Sequence, residues 1–159
     1  MRALFWNVRG FGARGHRDQL KDVVRGDNID LIGLVETFKS SFSPNELSAV
    51  AGAGMFDWNF LPSSGHSGGI LIGSKQDVLD FVAFHHGIFW ASIVVHSRHL
   101  NVLWEAMVVY GLANHSLSPL FLDEFTSKIE SCTIPLLAGG DFNLLRSSAH
   151  KNTPNCWGT

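Results

Sequence analysis

The stretch "LLAGGDFN", Leu136–Asn143, starts as a buried strand and ends as something else. Leu136, Leu137 and Ala138 continue the apolar run "IPLLAGGD", Gly139 and Gly140 carry no side chains, and Asp141 and Asn143 then bracket Phe142. A short apolar run bounded by turn-forming residues reads as a core strand. Side chains alternate along a strand, so a carboxylate and a carboxamide at i and i+2 share one side if the strand continues through them. The two glycines would let backbone pass close to neighbouring strands or to a substrate. The same D-x-N pattern also reads as an Asx turn.

Other strands read outward from this one in similar terms. Residues 2–8 form a short apolar run ending near Asn7, and "NIDLIGLVE" is a second run ending in Glu36. "FDWNFLP" and "ILIG" follow, then three β-rich runs, "VLDFVAF", "FWASIVV" and "NVLWEAMVVYG", the last with Tyr110 near its end. Helical periodicity places Leu20, Val23 and Val24 on one face between about His16 and Arg25. Ser43 and Pro44 suit the N-cap and first position of a short helix over 43–50. "SLSPLFLDEFTSKIES" reads as an amphipathic helix with Leu122, Phe125 and Ile129 on one face and a serine cap near its start. Helices interleave with a central block of consecutive strands, which predicts two packed sheets flanked by helices, an α/β sandwich, rather than one doubly wound sheet.

Composition fits one core. The chain has 159 residues, 45% hydrophobic and 16% charged, enough to bury roughly 68–70% of the surface of its unfolded form. No apolar run approaches the ~20 residues of a membrane span, and the N-terminus lacks a secretory apolar region. These features predict an intracellular protein of the nucleus or cytoplasm, not secreted, whose Cys132 and Cys156 are reduced thiols. A formal net charge of −2 gives no global pull toward nucleic acid, but Arg9, Arg14 and Arg17 share the glycine-spaced segment after Asn7 and would form a local basic face.

Asn7, Glu36, Tyr110 and the Asp141/Asn143 pair each lie at or near a strand end, where sheet scaffolds build sites. Singly, each has a structural reading: a turn, a cap, a core tyrosine. In order, "WNVRG", "VET", "SGG", "VVYG" and "GGDFN" resemble the endonuclease/exonuclease/phosphatase superfamily, and most closely the apurinic-endonuclease-like domain of plant LINE-type (non-LTR) retrotransposons, from Met1 to about Ser148. The resemblance implies a two-sheet α/β sandwich that hydrolyses phosphodiester bonds with weakly bound Mg²⁺ or Mn²⁺. It implies Glu36 as metal ligand and Asn7 helping to hold the metal or its water. Tyr110 would sit against the scissile phosphate, Asp141 would orient or activate the attacking water, and Asn143 would donate to a phosphate oxygen. Arg9, Arg14 and Arg17 are the expected contacts to DNA.

The superfamily's final Ser-Asp-His motif has no match in this sequence, and His150 in "SSAHKNTP" has neither a preceding aspartate nor a strand to place it. The expected organisation is therefore a truncated domain over 1–148, lacking the final strands, with a polar tail over 149–159. Two functions follow as expectations: a weak metal-dependent phosphodiesterase, or a non-catalytic retrotransposon-derived module that binds nucleic acid or protein. Phosphoinositide or small-molecule phosphatase activity is a third reading on the same scaffold. An uncovered sheet edge would favour a homodimer or a strand-adding partner. His85, His86, His96 and His99 read as structural or surface residues, and His66 and Ser67 as a turn or substrate loop.

Overall fold

The computed structural model describes residues 1–12, 14–63, 68–111 and 117–144. The elements run β1 (Ala3–Asn7), α1 (Arg14–Gly26), β2 (Leu31–Val35), α2 (Pro44–Ala51), β3 (Phe56–Leu61), β4 (Ile70–Lys75), β5 (Leu79–His86), β6 (Trp90–Ser97), β7 (Val102–Tyr110), α3 (Ser118–Glu130) and β8 (Leu136–Asp141). Two four-stranded sheets form, ordered β1-β2-β4-β3 and β5-β6-β7-β8. Each contains one parallel pair, β1 with β2 and β7 with β8, and antiparallel pairs elsewhere. The two parallel pairs are joined by α1 and α3, since strands that run the same way need a crossover between them. This is the two-sheet α/β sandwich expected from the interleaved pattern.

Alternation along the central strands explains why they are apolar on both faces. On β2, Leu31 and Val35 face the other sheet, where they pack with Ile70, Ile72, Ile93, Ala106 and Val108. Ile32 and Leu34 face the helical side and pack with Leu20, Val24, Val50 and Ala51. A strand covered on both faces loses the hydrophobic–polar alternation of a surface strand. The glycines of "LLAGGD" have specific neighbours. A Cβ on Gly139 would lie 2.6 Å from the Phe5 ring, which also covers Gly33, so these two glycines make room for one aromatic side chain between the sheets. Gly140 has φ +135°, and a Cβ there would lie 2.1 Å from the Val109 carbonyl oxygen of β7.

Helix α2 starts as expected. Ser43 is its N-cap, Pro44 opens it, and Ser43 and Glu46 complete a reciprocal capping box. Helix α3 departs from expectation at its cap and its inner face. Its N-cap is Leu117, with no side-chain cap, and its buried residue is Phe121. Leu122 and Ile129 are each 45% exposed. Phe121 and Phe125 stack at 5.7 Å and form the inner face with Phe89 and Phe142. The larger aromatic rings fill the space against β6 and β7, turning the helix about one residue from the Leu–Phe–Ile register. Arg14 and Arg17 lie on α1, so of the three arginines expected in the loop after Asn7 only Arg9 is there. The predicted 149–159 tail, His66, Ser67, His150 and Cys156 lie outside the described residues.

Candidate active site

All four polar strand ends meet at one rim of the sandwich. Asn7, Tyr110 and Asp141 are the last residues of β1, β7 and β8, and Glu36 follows the last residue of β2. Each belongs to one of the two parallel pairs, whose carboxyl ends share an edge, the usual place for a site in sheets connected by crossovers. Strand parity places three of them. Phe5, Val108 and Gly139 face the inter-sheet space, and two residues on, Asn7, Tyr110 and Asp141 continue that face to the rim. The site is the core face carried past the point where the core ends.

Glu36 is out of phase. Parity would turn it toward the helical side, but its φ is +56°, a left-handed conformation that is uncommon for a non-glycine residue. Its carboxylate instead accepts a hydrogen bond from the Tyr110 hydroxyl at 3.2 Å. The turn is held from both flanks. Gly10 and Phe11 donate to the Glu36 and Thr37 carbonyls, and Phe38 donates to the Gly68 carbonyl at 2.7 Å. A Cβ on Gly68 would lie 3.0 Å from the Glu36 Cα. The "SGG" stretch thus contributes a close-fitting backbone behind Glu36, which its composition alone did not reveal.

Two hydrogen bonds cross between the sheets: Tyr110 to Glu36, and Asn7 Nδ2 to Asp141 Oδ2 at 3.1 Å. The Asn7 amide oxygen accepts from the Arg9 backbone at 3.2 Å, so the Asn7 side chain is oriented at both ends. Burial pushes the Tyr110 phenol up from its ordinary value. The charge of Glu36, the hydrogen bond to it and the charge of Asp141 push the same way. No ion pair to Glu36 or Asp141 occurs among the described residues. Two carboxylates therefore face one polar rim without a cationic side chain between them.

Asn143 reaches the rim by another route than strand alternation. Strand β8 ends at Asp141, and Asn143 has φ +48°. Its backbone N–H donates to Asp141 Oδ1 at 3.2 Å, an Asx turn, and its side-chain amide donates to the Gly111 carbonyl at 2.6 Å. It is therefore not at i+2 on a continuing strand, and one of its two amide hydrogens is already bound to backbone. The turn wins because it satisfies polar groups that an extended chain would leave unpaired.

The arginines differ in availability. Arg9 is exposed, with φ +46°. Arg14 lies 3.9 Å from Asp18 one helical turn on, and Arg17 lies 3.5 Å from Glu46. A cavity of about 200 Å³ lies between the end of β1 and α1, lined by Trp6, Asn7, Val8, Arg9, His16 and Gln19. Sequence reasoning missed Phe38. It is 59% exposed two residues beyond Glu36, also with left-handed backbone at φ +51°. The signal was present in "VETFKS", where an aromatic follows the carboxylate directly. His85, His86 and His99 are exposed and His96 half-buried, and no group of three His, Cys, Asp or Glu side chains able to hold a metal occurs among the described residues.

Solved structures share this architecture at low identity. The human Nocturnin catalytic domain with bound sulfate is 16% identical, with a TM-score of 0.67, over 91% of this chain and 64% of that one. Humanised D. rerio TDP2 carrying 14 mutations is 15% identical, with a TM-score of 0.70, over 91% and 66%. D. rerio TDP2 complexed with a single strand DNA product is 13% identical, with a TM-score of 0.62, over 90% and 60%. The chain thus spans just under two thirds of the length of these structures. No curated protein sequence matches it. Residues 4–158, nearly the whole chain, match the Endonuclease/Exonuclease/phosphatase family, and the chain belongs to that family.

Proposed function

We propose that the rim is a metal-dependent phosphodiesterase site that acts on nucleic acid. The observation that carries this reading is the pair of crossing hydrogen bonds, Asn7–Asp141 and Tyr110–Glu36, which gather two carboxylates, an amide and a phenol from four strand ends. The donor set fits a hard divalent cation. Mg²⁺ and Mn²⁺ take oxygen ligands and, for Mg²⁺, one or two carboxylates suffice because several waters are kept. Glu36 would hold the ion, with Asp141 and the Asn7 amide close by. When bound, the ion supplies Lewis-acid polarisation of a phosphoryl oxygen.

The remaining roles belong to this chain's own side chains. Asp141, its carboxylate fixed by the Asn7 amide, orients the attacking water. Tyr110, held protonated by burial and by two neighbouring carboxylates, is a neutral donor to a phosphate oxygen. Asn143 retains one amide hydrogen for the same purpose. Neutral donors fixed before the reaction stabilise charge that grows in the transition state without reorganising. Arg9 contributes phosphate attraction from the loop between β1 and α1, with Arg14 and Arg17 on the adjoining helix.

The finer reading is an origin in a LINE-type retrotransposon endonuclease, carried by the motif order and by "GGDFN". This sequence carries no Ser-Asp-His segment. We therefore place its rate about 10²–10⁴-fold below that of a site with the full general-base and orienting set. The second reading, a binding module without turnover, uses the same rim. Strand β8 is the last strand of its sheet among the described residues, and that edge is where a second copy or a strand-adding protein would pair. Supercoiled plasmid with Mg²⁺ or Mn²⁺ separates the readings. Metal-dependent nicking that Glu36→Ala reduces at least about 10²-fold supports catalysis; no nicking at high protein concentration supports the binding module.

A further inference from the structure

Phe38 has no structural reason to be a phenylalanine. Its ring is 59% exposed, and its φ of +51° is a conformation that costs an L-residue with a bulky side chain free energy glycine or asparagine would not lose. Such strain persists only where surrounding structure over-determines it, and such residues cluster at binding and catalytic sites. Phe38 is fixed in that way. Its N–H donates to Gly68, and the ring edge rests at van der Waals distance from the Cβ positions of Gly10 and Gly68. It also adjoins the loop that carries Arg9, because Gly10 donates to the carbonyl of Glu36, two residues before Phe38.

The rim therefore displays two side chains from left-handed backbone, the cation of Arg9 and the ring of Phe38, on either side of Gly10. A cation beside an exposed aromatic face is the pairing by which proteins grip single strands, the cation following the phosphates while bases stack on the ring. A base inside a duplex keeps its faces covered by its neighbours and cannot use such a platform. We infer that Phe38 is a stacking face for an unpaired nucleobase next to the bound phosphate, giving the site a preference for single-stranded or locally unpaired DNA over intact duplex. This rests on the proposed reading of the rim as a phosphodiester site, but binding tests it separately from turnover.

The experiment is fluorescence anisotropy with a fluorescein-labelled single-stranded oligodeoxynucleotide and its blunt duplex, in EDTA so that cleavage does not enter. Phe38→Ala and Phe38→Gly should weaken single-strand binding roughly 5- to 100-fold while duplex binding changes less than about twofold. The salt dependence should keep its slope, because no phosphate contact is lost. Phe38→Trp should restore affinity. Phe38→Gly should melt no lower than wild type, since glycine accepts the left-handed backbone. Undiminished single-strand affinity, equal loss on both substrates, a lowered melting temperature with general loss of binding, or no single-strand binding by the wild-type chain would each overturn the inference. A protein that binds single strands through Phe38 yet never nicks plasmid retains the inference and loses the catalytic reading.

Discussion

Two glutamates on neighbouring strands have opposite surroundings. Glu105, in the middle of β7, is buried on the face toward α3, where Lys128 Nζ lies 2.7 Å away and Ser92 and Cys132 donate to its two oxygens. Burial pushes the Glu105 carboxyl up, and these hydrogen bonds together with the charge of Lys128 more than reverse it, leaving it below the usual carboxylate range. Lys128 also sits 5.0 Å from the centre of the Trp90 ring. Glu36, at the rim, has a phenol for a partner, a second carboxylate nearby and strained backbone. The first glutamate is satisfied by the fold. The second is held in place with its charge uncompensated, as a group that binds something else must be.

Removing one partner from each site tests that contrast most severely. Lys128→Ala should lower stability by about 3–5 kcal/mol in denaturant titrations, because it leaves a buried carboxylate unpaired. Nicking per folded molecule should be unchanged. Glu36→Ala should shift stability by no more than about 0.5 kcal/mol while it removes nicking. Comparable stability losses in the two variants would break the distinction.

Gly140→Ala probes the place where the rim joins the core. The added methyl would meet the β7 backbone, on a φ that alanine resists, so a loss of about 1–3 kcal/mol is expected. Nicking should fall with it, since Asp141 follows directly. Full activity in a destabilised protein would show that Asp141 does not depend on the β8 register.

The smallest expected effect is at Glu46, the capping-box carboxylate that Lys39 and Arg17 also face. The hydrogen bond from Lys39, then that from the Ser43 backbone, pulls its carboxyl from 4.5 down to about 2. A depressed folded-state value means stability that is fully present above about pH 4.5 and lost as pH falls toward about 2. Glu46→Gln should flatten the acid limb of the stability curve in that window and cost about 1 kcal/mol at neutral pH. An acid limb identical to wild type would show that the cap, unlike Glu105, adds nothing through charge.

Much of the sandwich was legible in sequence, because its strands are bounded by turn residues and its central ones are apolar on both faces. The four rim positions were legible as polar residues in apolar surroundings. Three features were not. The inner face of α3 depended on ring volume across the interface, which periodicity does not contain. The position of Asn143 depended on a turn displacing the strand, two local options that the same D-x-N encodes. Phe38 was hidden because exposure and a left-handed φ are properties of the folded backbone, and the letter F beside a carboxylate suggests core rather than surface.

The crossing hydrogen bonds carry a consequence for how the molecule forms. Asn7 and Asp141 are 134 positions apart, and Glu36 and Tyr110 are 74 apart. Each bond joins the β1–α1–β2 unit to the β7–α3–β8 unit, so neither unit by itself holds a pair. Contacts of such long range form only after the entropy of closing the intervening chain has been overcome, which makes topologies rich in them slow to fold. During refolding, nicking activity should therefore recover with the docking of the two sheets and lag the return of helical circular dichroism, reporting completion of the whole fold rather than of either half.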